Sequence, residues 1–565
     1  MLMPFATAIS RLKQSNGLCV LLIFGTAILC SLPNIFPFGS ITVSLGPNDL
    51  GYHLHAWKGY VQALSDGQIV PQVNPEAAGG FGYSSLIFYG PLQAVVCALL
   101  FLISQSWLFS VQTILILSFF LAGIAMYKFV MDFSDNKITG TIAAILYITA
   151  PPELFQYFGW QGYGAVFGYI FIPILFMGFY RVICKKEYGV IFAALGMSGL
   201  ILTHILSMVM SCIFLVILLL LNVRKLRNFA TLKKVVVCAM LTVGICAYFL
   251  LPFLKAYRLG IYQIFGSGGF SMAWVMDGNG IAWFTLGKSD YFTQRIFYTF
   301  LAIVIAFGIY LLLKNKLLGN FSSSQKLLVK QSFVCFCISL VLVSAYIPWS
   351  HLPASLSTLQ TPMRFICMAN FFGVVVVVFF FQNIFLTPKF KPIFQKVIVI
   401  VCTLFFISIS VFTVTNSLSS SSGRYELDNT FTASEDGYVP EYLPANAPDF
   451  SDYQISSDLI EFKRTGSHSS FYTSNKSDDI KVIELPFVYY DGYAAWDIVG
   501  QQFNVSFSAN GLVQVEIPAH FSGEIFTHFA MSFWTLCGLI ITLLSIGISI
   551  TYIIIRKRKI RLLAQ

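Results

Sequence analysis

YGVIFAALGMSGLILTHILSMVMSCIFLVILLLLN, residues 188–222, contains no Asp, Glu, Lys or Arg, and one imidazole, His204. A soluble fold has no place for so long an apolar run. Two membrane spans, 188–205 and 206–222, do. The rest of the chain agrees with this reading. Of its 565 residues, 57% are hydrophobic and 11% are charged, against roughly 25% charged in an average soluble domain. Mean hydropathy is +0.75. These values exclude a cytoplasmic enzyme, a secreted disulfide scaffold and a nucleic-acid binder. The 56 phenylalanines suit lipid-facing helices.

Working outward from 188–222, apolar runs long enough to span recur along the chain. They are predicted at 17–34, 107–127, 138–151, 164–182, 235–253, 296–313, 331–347, 364–386, 397–415 and 530–555, giving about twelve crossings in all. The first is read as a retained helix rather than a cleaved signal peptide. The net charge of +10 is segregated. Arg11 and Lys13 precede the first span, and every second loop is basic: Lys128 with Lys137, Arg181 to Lys186, Arg224 to Lys234, Lys314 to Lys330, Lys389 to Lys396, and the Arg556–Arg561 tail. The positive-inside rule therefore places both termini in the cytoplasm. The same parity makes 86–104 an interfacial or re-entrant segment. Near its start stands Tyr89-Gly90-Pro91, a poor opening for a straight spanning helix.

The outer side then receives two large pieces, a first loop at 35–106 and a domain at 416–529. The second holds most of the 25 acidic residues. Its segments Lys481–Leu485 and Leu512–Ile517 read as strands between turns, predicting a small β-sandwich or jelly-roll. All 12 cysteines lie in or beside apolar spans, so no disulfide framework is implied. The expected fold class is a polytopic α-helical membrane protein with an extracytoplasmic C-terminal β-rich domain. Its parts are a transmembrane domain at 1–415, the outer domain at 416–529 after a Ser417–Ser422 linker, and a last helix with a basic tail at 530–565.

Candidate chemistry concentrates in the first loop, GPNDLGYHLHAWKGYVQALSDGQIVPQVNPEAAGGFGYSSLIFYGPL at 46–92. Pro47-Asn48-Asp49 reads as a helix start and Ser65-Asp66-Gly67 as a stop. Between them Leu50, Leu54, Trp57, Val61 and Leu64 recur at helical spacing, predicting an amphipathic helix on the outer surface. Asp49 is either its N-cap or a functional carboxylate. His53, four residues on, shares its face and pairs with it as a surface pair or around a divalent cation. Glu76 is a second acid able to face a polar cavity. Gly79-Gly80-Phe81-Gly82-Tyr83 is a tight loop without the Gly-Lys-Ser/Thr element of a P-loop.

A second place is Gln360-Thr361-Pro362-Met363-Arg364-Phe365, at the outer mouth of the span that begins at 364. Arg364 either snorkels into headgroups or binds a lipid-linked phosphate bidentately. Trp349 and His351 share that outer loop. His204 is an intramembrane histidine, functional or bonded to a backbone carbonyl. Lys255, Arg258, Asp277, Lys288, Asp290 and Arg295 crowd the loop at 254–295 as further candidates for an anionic substrate.

The pattern Asp49…Tyr52-His53, Gly67…Pro71, Gly79–Tyr83 and Phe88–Leu92 resembles the first outer loop of YfhO-like bacterial membrane proteins. Gln360…Pro362…Arg364-Phe365, Glu441–Pro444 and Glu484–Pro486 with Tyr489-Tyr490 resemble later parts of the same family. Related sequences carry a label relating them to 6-pyruvoyl-tetrahydropterin synthase, although these residues show no pterin chemistry. The family in turn resembles the GT-C glycosyltransferases. That resemblance implies a helical membrane core, a catalytic acid in the first outer loop and a polyprenyl-phosphate-linked sugar as donor. It also implies an extracytoplasmic cell-wall polymer as acceptor, lipoteichoic or wall teichoic acid among them, in a bacterial cell membrane. By position Asp49 takes the role of the catalytic acid. Arg364, His53, Glu76, Tyr83 and Gln360 become the substrate-binding candidates. Many GT-C members pair two acids. Here Asn48 and Leu50 flank Asp49, so a two-carboxylate magnesium or manganese site is incomplete in the sequence.

A phosphate leaving group needs no general acid, unlike the alkoxide of glycoside hydrolysis. One carboxylate suffices as base, and Arg364 or a metal stabilises the departing charge. The family analogy implies inversion. A helix N-terminus would lower the pKa of Asp49 and weaken it as a base. The alternatives are a lipid-linked sugar or polymer transporter and a non-catalytic envelope assembly protein.

Overall fold

A computed structural model describes residues 15–36, 38–43, 48–265, 321–343, 347, 359, 362–386, 423–427 and 440–564. The expected spans 296–313 and 397–415, the pair Arg11 and Lys13, the loop residues Lys314, Lys316, Lys389, Lys391 and Lys396, the linker Ser417–Ser422, and Asp277, Lys288, Asp290, Arg295, Trp349, His351 and Gln360 lie outside the described residues.

Five described helices are long and apolar enough to cross a membrane: Asn16–Asn34, Trp107–Ser134, Tyr163–Ile183, Ser323–Val343 and Phe533–Lys559. The number rises to seven if each of two bent pairs is one span. The helices Gly189–Thr203 and Ile205–Leu221 are shorter, and they meet at His204. Leu92–Ser104 has 13 residues, roughly 20 Å of helix at 1.5 Å per residue, well short of a hydrocarbon core of about 30 Å.

The chain divides into two compact units. The first comprises Met1–Leu50, Ser104–Thr242 and Ser271–Phe431. Here Trp107–Ser134, Lys137–Ile148, Tyr163–Ile183, Gly189–Thr203 and Ile366–Leu386 form the packed centre. Lys137–Ile148 and Pro151–Phe158 form one of the bent pairs, with an angle of 43°. Pro151 and Pro152 restart the helix after the break, where a missing N–H costs nothing. A short antiparallel ladder joins Ser40–Val43 to Gly423–Glu426. Arg181 closes on both oxygens of Asp132 at 2.9 and 2.8 Å, and Lys186 joins them at 3.4 Å.

The helices Tyr163–Ile183 and Gly189–Thr203 approach almost backbone to backbone. A Cβ on Gly178 would stand 2.0 Å from the amide nitrogen of Ala193, and one on Gly196 would stand 2.3 Å from that of Leu175. Small residues permit such close packing in a membrane, where dispersion rather than water drives association. Backbone atoms cannot swing aside, so Gly178→Ala must push the helices apart. We expect a loss of about 1–3 kcal/mol, read as a lower melting temperature of the detergent-solubilised protein. An unchanged melting temperature would contradict this close approach.

The second unit comprises Gly51–Ile103, Val243–Phe270 and Thr432–Gln565. Its strands form two antiparallel sheets. One has the order Ile460–Thr465, His468–Ser474, Ser522–Phe529, Tyr493–Asp497, Gln502–Phe503. The other has the order Lys481–Val488, Leu512–Ile517, Val505–Phe507. Alternate residues of both sheets, among them Phe471, Ile525, Ile483, Leu485 and Val515, share one apolar core, so the strand-rich C-terminal region is a sandwich. The two segments read as strands from sequence are strands, the first extending to Val488. Gln72 and Thr542 carry polar bonds to and from the last helix: Thr535 donates to Gln72 at 3.1 Å, and Tyr248 N–H donates to Thr542 at 3.0 Å.

Candidate functional site

The first unit brings Asp49 and Arg364 into one electrostatic neighbourhood. Asp49 immediately precedes the helix Leu50–Ser65. The capping bond at that helix start is made by its neighbour: Leu50 N–H donates to Asn48 Oδ1 at 3.1 Å. Asp49 donates its own N–H to the carbonyl of Trp160 at 2.9 Å. Among the described residues its carboxylate has no hydrogen-bond or ion-pair partner and is open to solvent. Protein crowded around it raises its pKa above the ordinary carboxylate value, the positive charge of Arg364 pulls the other way, and the water that reaches it moderates the shift. The environment therefore opposes the depression expected from a helix N-terminus.

The turn Gly159-Trp160-Gln161-Gly162 holds the stretch that leads to Asp49. Gln161 donates to the carbonyl of Thr42 at 2.8 Å, and Thr42 N–H donates to Asn34 Oδ1 at 2.9 Å. Arg424 reaches the Pro33 carbonyl at 2.7 Å and the Thr42 hydroxyl at 3.0 Å. A Cβ on Gly162 would lie 3.5 Å from Asp49 Oδ2 and would strike the amide of Gln156. Gly162 thus keeps space beside the carboxylate.

Arg364 lies in a short 3-10 turn, Pro362–Phe365, ahead of the helix Ile366–Leu386. Its guanidinium carbon is 5.9 Å from the centroid of the Trp160 ring, and its Nη1 is 3.4 Å from His204 Nε2. Cys367 donates to its carbonyl at 3.0 Å. Trp160 therefore meets Asp49 through its backbone and Arg364 through its ring.

Glu153, not singled out in the sequence, is fully buried, and neither carboxylate oxygen has a hydrogen-bond partner among the described residues. It lies within electrostatic reach of Tyr147, Tyr169, Cys30 and Cys367. A buried carboxyl inside an apolar bundle is costly and marks a functional candidate. Its available signal was an acid directly after Pro151-Pro152, ahead of a Gly-Trp-Gln-Gly turn between two apolar runs.

The remaining first-loop candidates lie in the second unit. His53 is 1% exposed, with the rings of Trp57 and Tyr89 6.1 and 6.0 Å away. Burial lowers its pKa to about 3, so it is a neutral imidazole at physiological pH rather than a surface ion pair. Glu76 is exposed and accepts a hydrogen bond from Gln62. Tyr83 is 1% exposed, near the rings of His55 and Tyr442, and its backbone pairs with Asn74 across the glycine loop.

That loop packs on the sandwich. Val488 N–H donates to the Phe81 carbonyl at 2.8 Å, and Arg464 donates to the Pro75 carbonyl at 3.2 Å. Gly80 has φ of 89°, and a Cβ there would lie 3.2 Å from Arg464 Nη1, which is the reason for glycine at this position. Asp66 accepts from Ser467 N–H and Oγ at 3.0 and 2.5 Å. Tyr490 donates to the Tyr442 carbonyl at 3.2 Å, and Tyr262 donates to that of Tyr489 at 2.9 Å. Much of the first-loop pattern is thus spent on joining loop to sandwich.

Among the described residues no three His, Cys, Asp or Glu side chains are grouped to hold a metal ion. The expectation of a magnesium or manganese site gains no ligand set from them.

Apolar helices long enough to span, beside a strand-rich C-terminal sandwich, describe a polytopic membrane protein. The chain belongs to the 6-pyruvoyl-tetrahydropterin synthase related domain family of membrane proteins, whose family model matches residues 86–420. That match takes in Trp160, His204 and Arg364 and begins after Asp49. The chain is 26% identical to an uncharacterized protein of Lactococcus lactis subsp. cremoris, over 93% of this chain and 94% of the relative. Among solved structures it is similar to the apo Archaeoglobus fulgidus oligosaccharyltransferase, with a TM-score of 0.44 and 11% identity over 86% of this chain and 74% of that one.

Proposed function

We propose that this protein is a membrane glycosyltransferase of GT-C type. It moves a sugar from a polyprenyl-phosphate donor to an extracytoplasmic cell-wall polymer such as lipoteichoic or wall teichoic acid. The observation that carries the reading is the solvent-open carboxylate of Asp49, unused as a cap and set in the field of Arg364. The YfhO-like pattern around both residues supports it, and the basic loops support an extracytoplasmic site with cytoplasmic termini.

In this mechanism an acceptor hydroxyl attacks the anomeric carbon. The new C–O bond forms as the bond to the donor phosphate breaks, and the phosphate leaves with the electron pair. Asp49 takes the hydroxyl proton, a task made easier by its raised pKa. Arg364 stabilises the departing phosphate through charge-assisted hydrogen bonds. Direct displacement inverts the anomeric centre. Glu76 at the loop surface is a candidate for acceptor contact. His53 and Tyr83, both enclosed, act on binding through the shape of the loop.

The test is reconstitution of the full chain in vesicles with a labelled polyprenyl-phosphate hexose or N-acetylhexosamine and teichoic acid. We expect label in the polymer. Movement of the donor across the bilayer without transfer would make the protein a transporter, and neither transfer nor movement would make it an assembly protein.

A further inference from the structure

We propose that Gln161 is a positioning residue for Asp49, its side-chain amide fastening the chain ahead of Asp49 to the turn that meets Arg364. This role rests on the function proposed above, while the fastening itself rests on geometry. The turn Gly159-Trp160-Gln161-Gly162 has one residue in the left-handed region, and it is neither glycine. Gly159 has φ of −82° and Gly162 of −78°, whereas Gln161 has φ of 50°. A β-carbon makes that conformation costly, and glycine would adopt it freely. Such strain persists where the surroundings over-determine it, and it gathers at functional sites.

Here the side chain supplies the determination. Gln161 is fully buried, and its Nε2 lies 2.8 Å from the Thr42 carbonyl oxygen and 3.4 Å from the Tyr163 hydroxyl. A carbonyl only accepts, so the amide turns its NH2 end to Thr42, and its two hydrogens serve these two oxygens.

Successive residues of the turn thus hold both ends of 42–49. Gln161 holds Thr42 through its side chain. Trp160 holds Asp49 through its carbonyl, which accepts the Asp49 N–H at 2.9 Å. The Trp160 ring, its centroid 5.9 Å from the guanidinium carbon, lies against Arg364. One short turn therefore sets where the carboxylate stands relative to the guanidinium. A single bond at Asp49 would leave the stretch free to pivot, and the bond at Thr42 removes that freedom. A base displaced slightly from the proton it must take loses rate steeply. Thr42 keeps other ties, its N–H to Asn34 Oδ1 at 2.9 Å and its hydroxyl to the Pro33 carbonyl at 2.7 Å. The strand should accordingly outlast loss of the glutamine amide.

Two substitutions separate positioning from a merely structural role. Gln161→Gly and Gln161→Ala both remove the amide, but only glycine relieves the backbone, so the glycine variant should melt higher than the alanine variant. Transfer should follow the amide instead. Both variants should lose about tenfold in kcat per folded protein, with a near-parental KM for a polyprenyl-phosphate hexose, since Arg364 is untouched. A parental kcat in the glycine variant would overturn the role, as would a rate that recovers with stability from alanine to glycine. Failure of the glycine variant to fold would make Gln161 structural and overturn the role as well. A second measurement does not depend on transfer. In the full chain, hydrogen exchange read residue by residue should show the Asp49 N–H exchanging about tenfold faster in Gln161→Gly than in the parent, because its bond to Trp160 loses its support. Unchanged exchange would overturn the fastening even if the protein transferred no sugar. Faster exchange in a protein without transfer would leave the fastening standing and refute the glycosyltransferase reading instead.

Discussion

Replacing Asp49 by Asn should lower the rate of sugar transfer by roughly 10²–10⁴-fold, the usual weight of a positioned general base. The fold should survive the change. Asn48 already supplies the oxygen bonded to Leu50 N–H, and Asp49 contributes a backbone bond to Trp160 that Asn retains. Stability also has a defined sign. A carboxyl whose folded pKa is raised binds its proton more tightly in the native state than in the unfolded chain. Its contribution is therefore favourable at low pH and is lost as pH rises through the unfolded and then the folded pKa. At neutral pH the ionised group is a small cost, so Asp49→Asn should melt no lower than the parent. Transfer, by contrast, needs the ionised form and should fall as pH drops through the raised pKa. Asp49→Glu keeps the charge, displaced by one methylene, and should recover only part of the rate. Rates normalised to folded protein decide the matter. A stable, fully active Asn variant would remove Asp49 from the chemistry and turn attention to Glu76 and Glu153.

Arg364→Ala should weaken donor use by about 1.5–3 kcal/mol, the range for a hydrogen bond to a charged group, or about 10–150-fold in kcat/KM. Lysine should not restore it, because a point charge reproduces neither the bidentate fork nor the face presented to the Trp160 ring. The measurement is initial rate against donor concentration. Undiminished transfer by the alanine variant at subsaturating donor would exclude Arg364 from the phosphate site.

Local pattern carried the apolar helices and the principal strands, because lipid and a sandwich core impose periodicities of their own. Trp107–Ser134 and Leu512–Ile517 are legible this way. Breaks are harder to read. The interruption after Ile148 is marked by Pro151-Pro152, but the single-residue joint at His204 sits inside an apolar run whose composition barely changes. Asp49 stood out at the start of the predicted first-loop helix and Arg364 as a charge at the border of a span. Their shared neighbour Trp160 did not, since its role depends on contacts with residues more than 100 positions away on either side. The glycine loop read as a tight turn. Why it needs glycine became visible only with the positive φ of Gly80 and with Arg464 beside it, almost 400 residues later in the chain. Asp49 read as a cap or a functional carboxylate, and the hydrogen bond from Leu50 N–H to Asn48 gives a capping bond to its neighbour instead.

The ladder between Ser40–Val43 and Gly423–Glu426 has a bearing on how the protein is made. Its two strands are separated by about 380 residues. At 5–20 residues per second, synthesis of that interval takes roughly 20–80 s. Through that time the stretch before Asp49 lacks the partner strand that will hold it, while membrane helices are being laid down behind it. A chain cut short before Gly423 could insert most of its helices and still never set this corner of the site. On the function proposed above, transfer should therefore require synthesis past the strand at Gly423–Glu426.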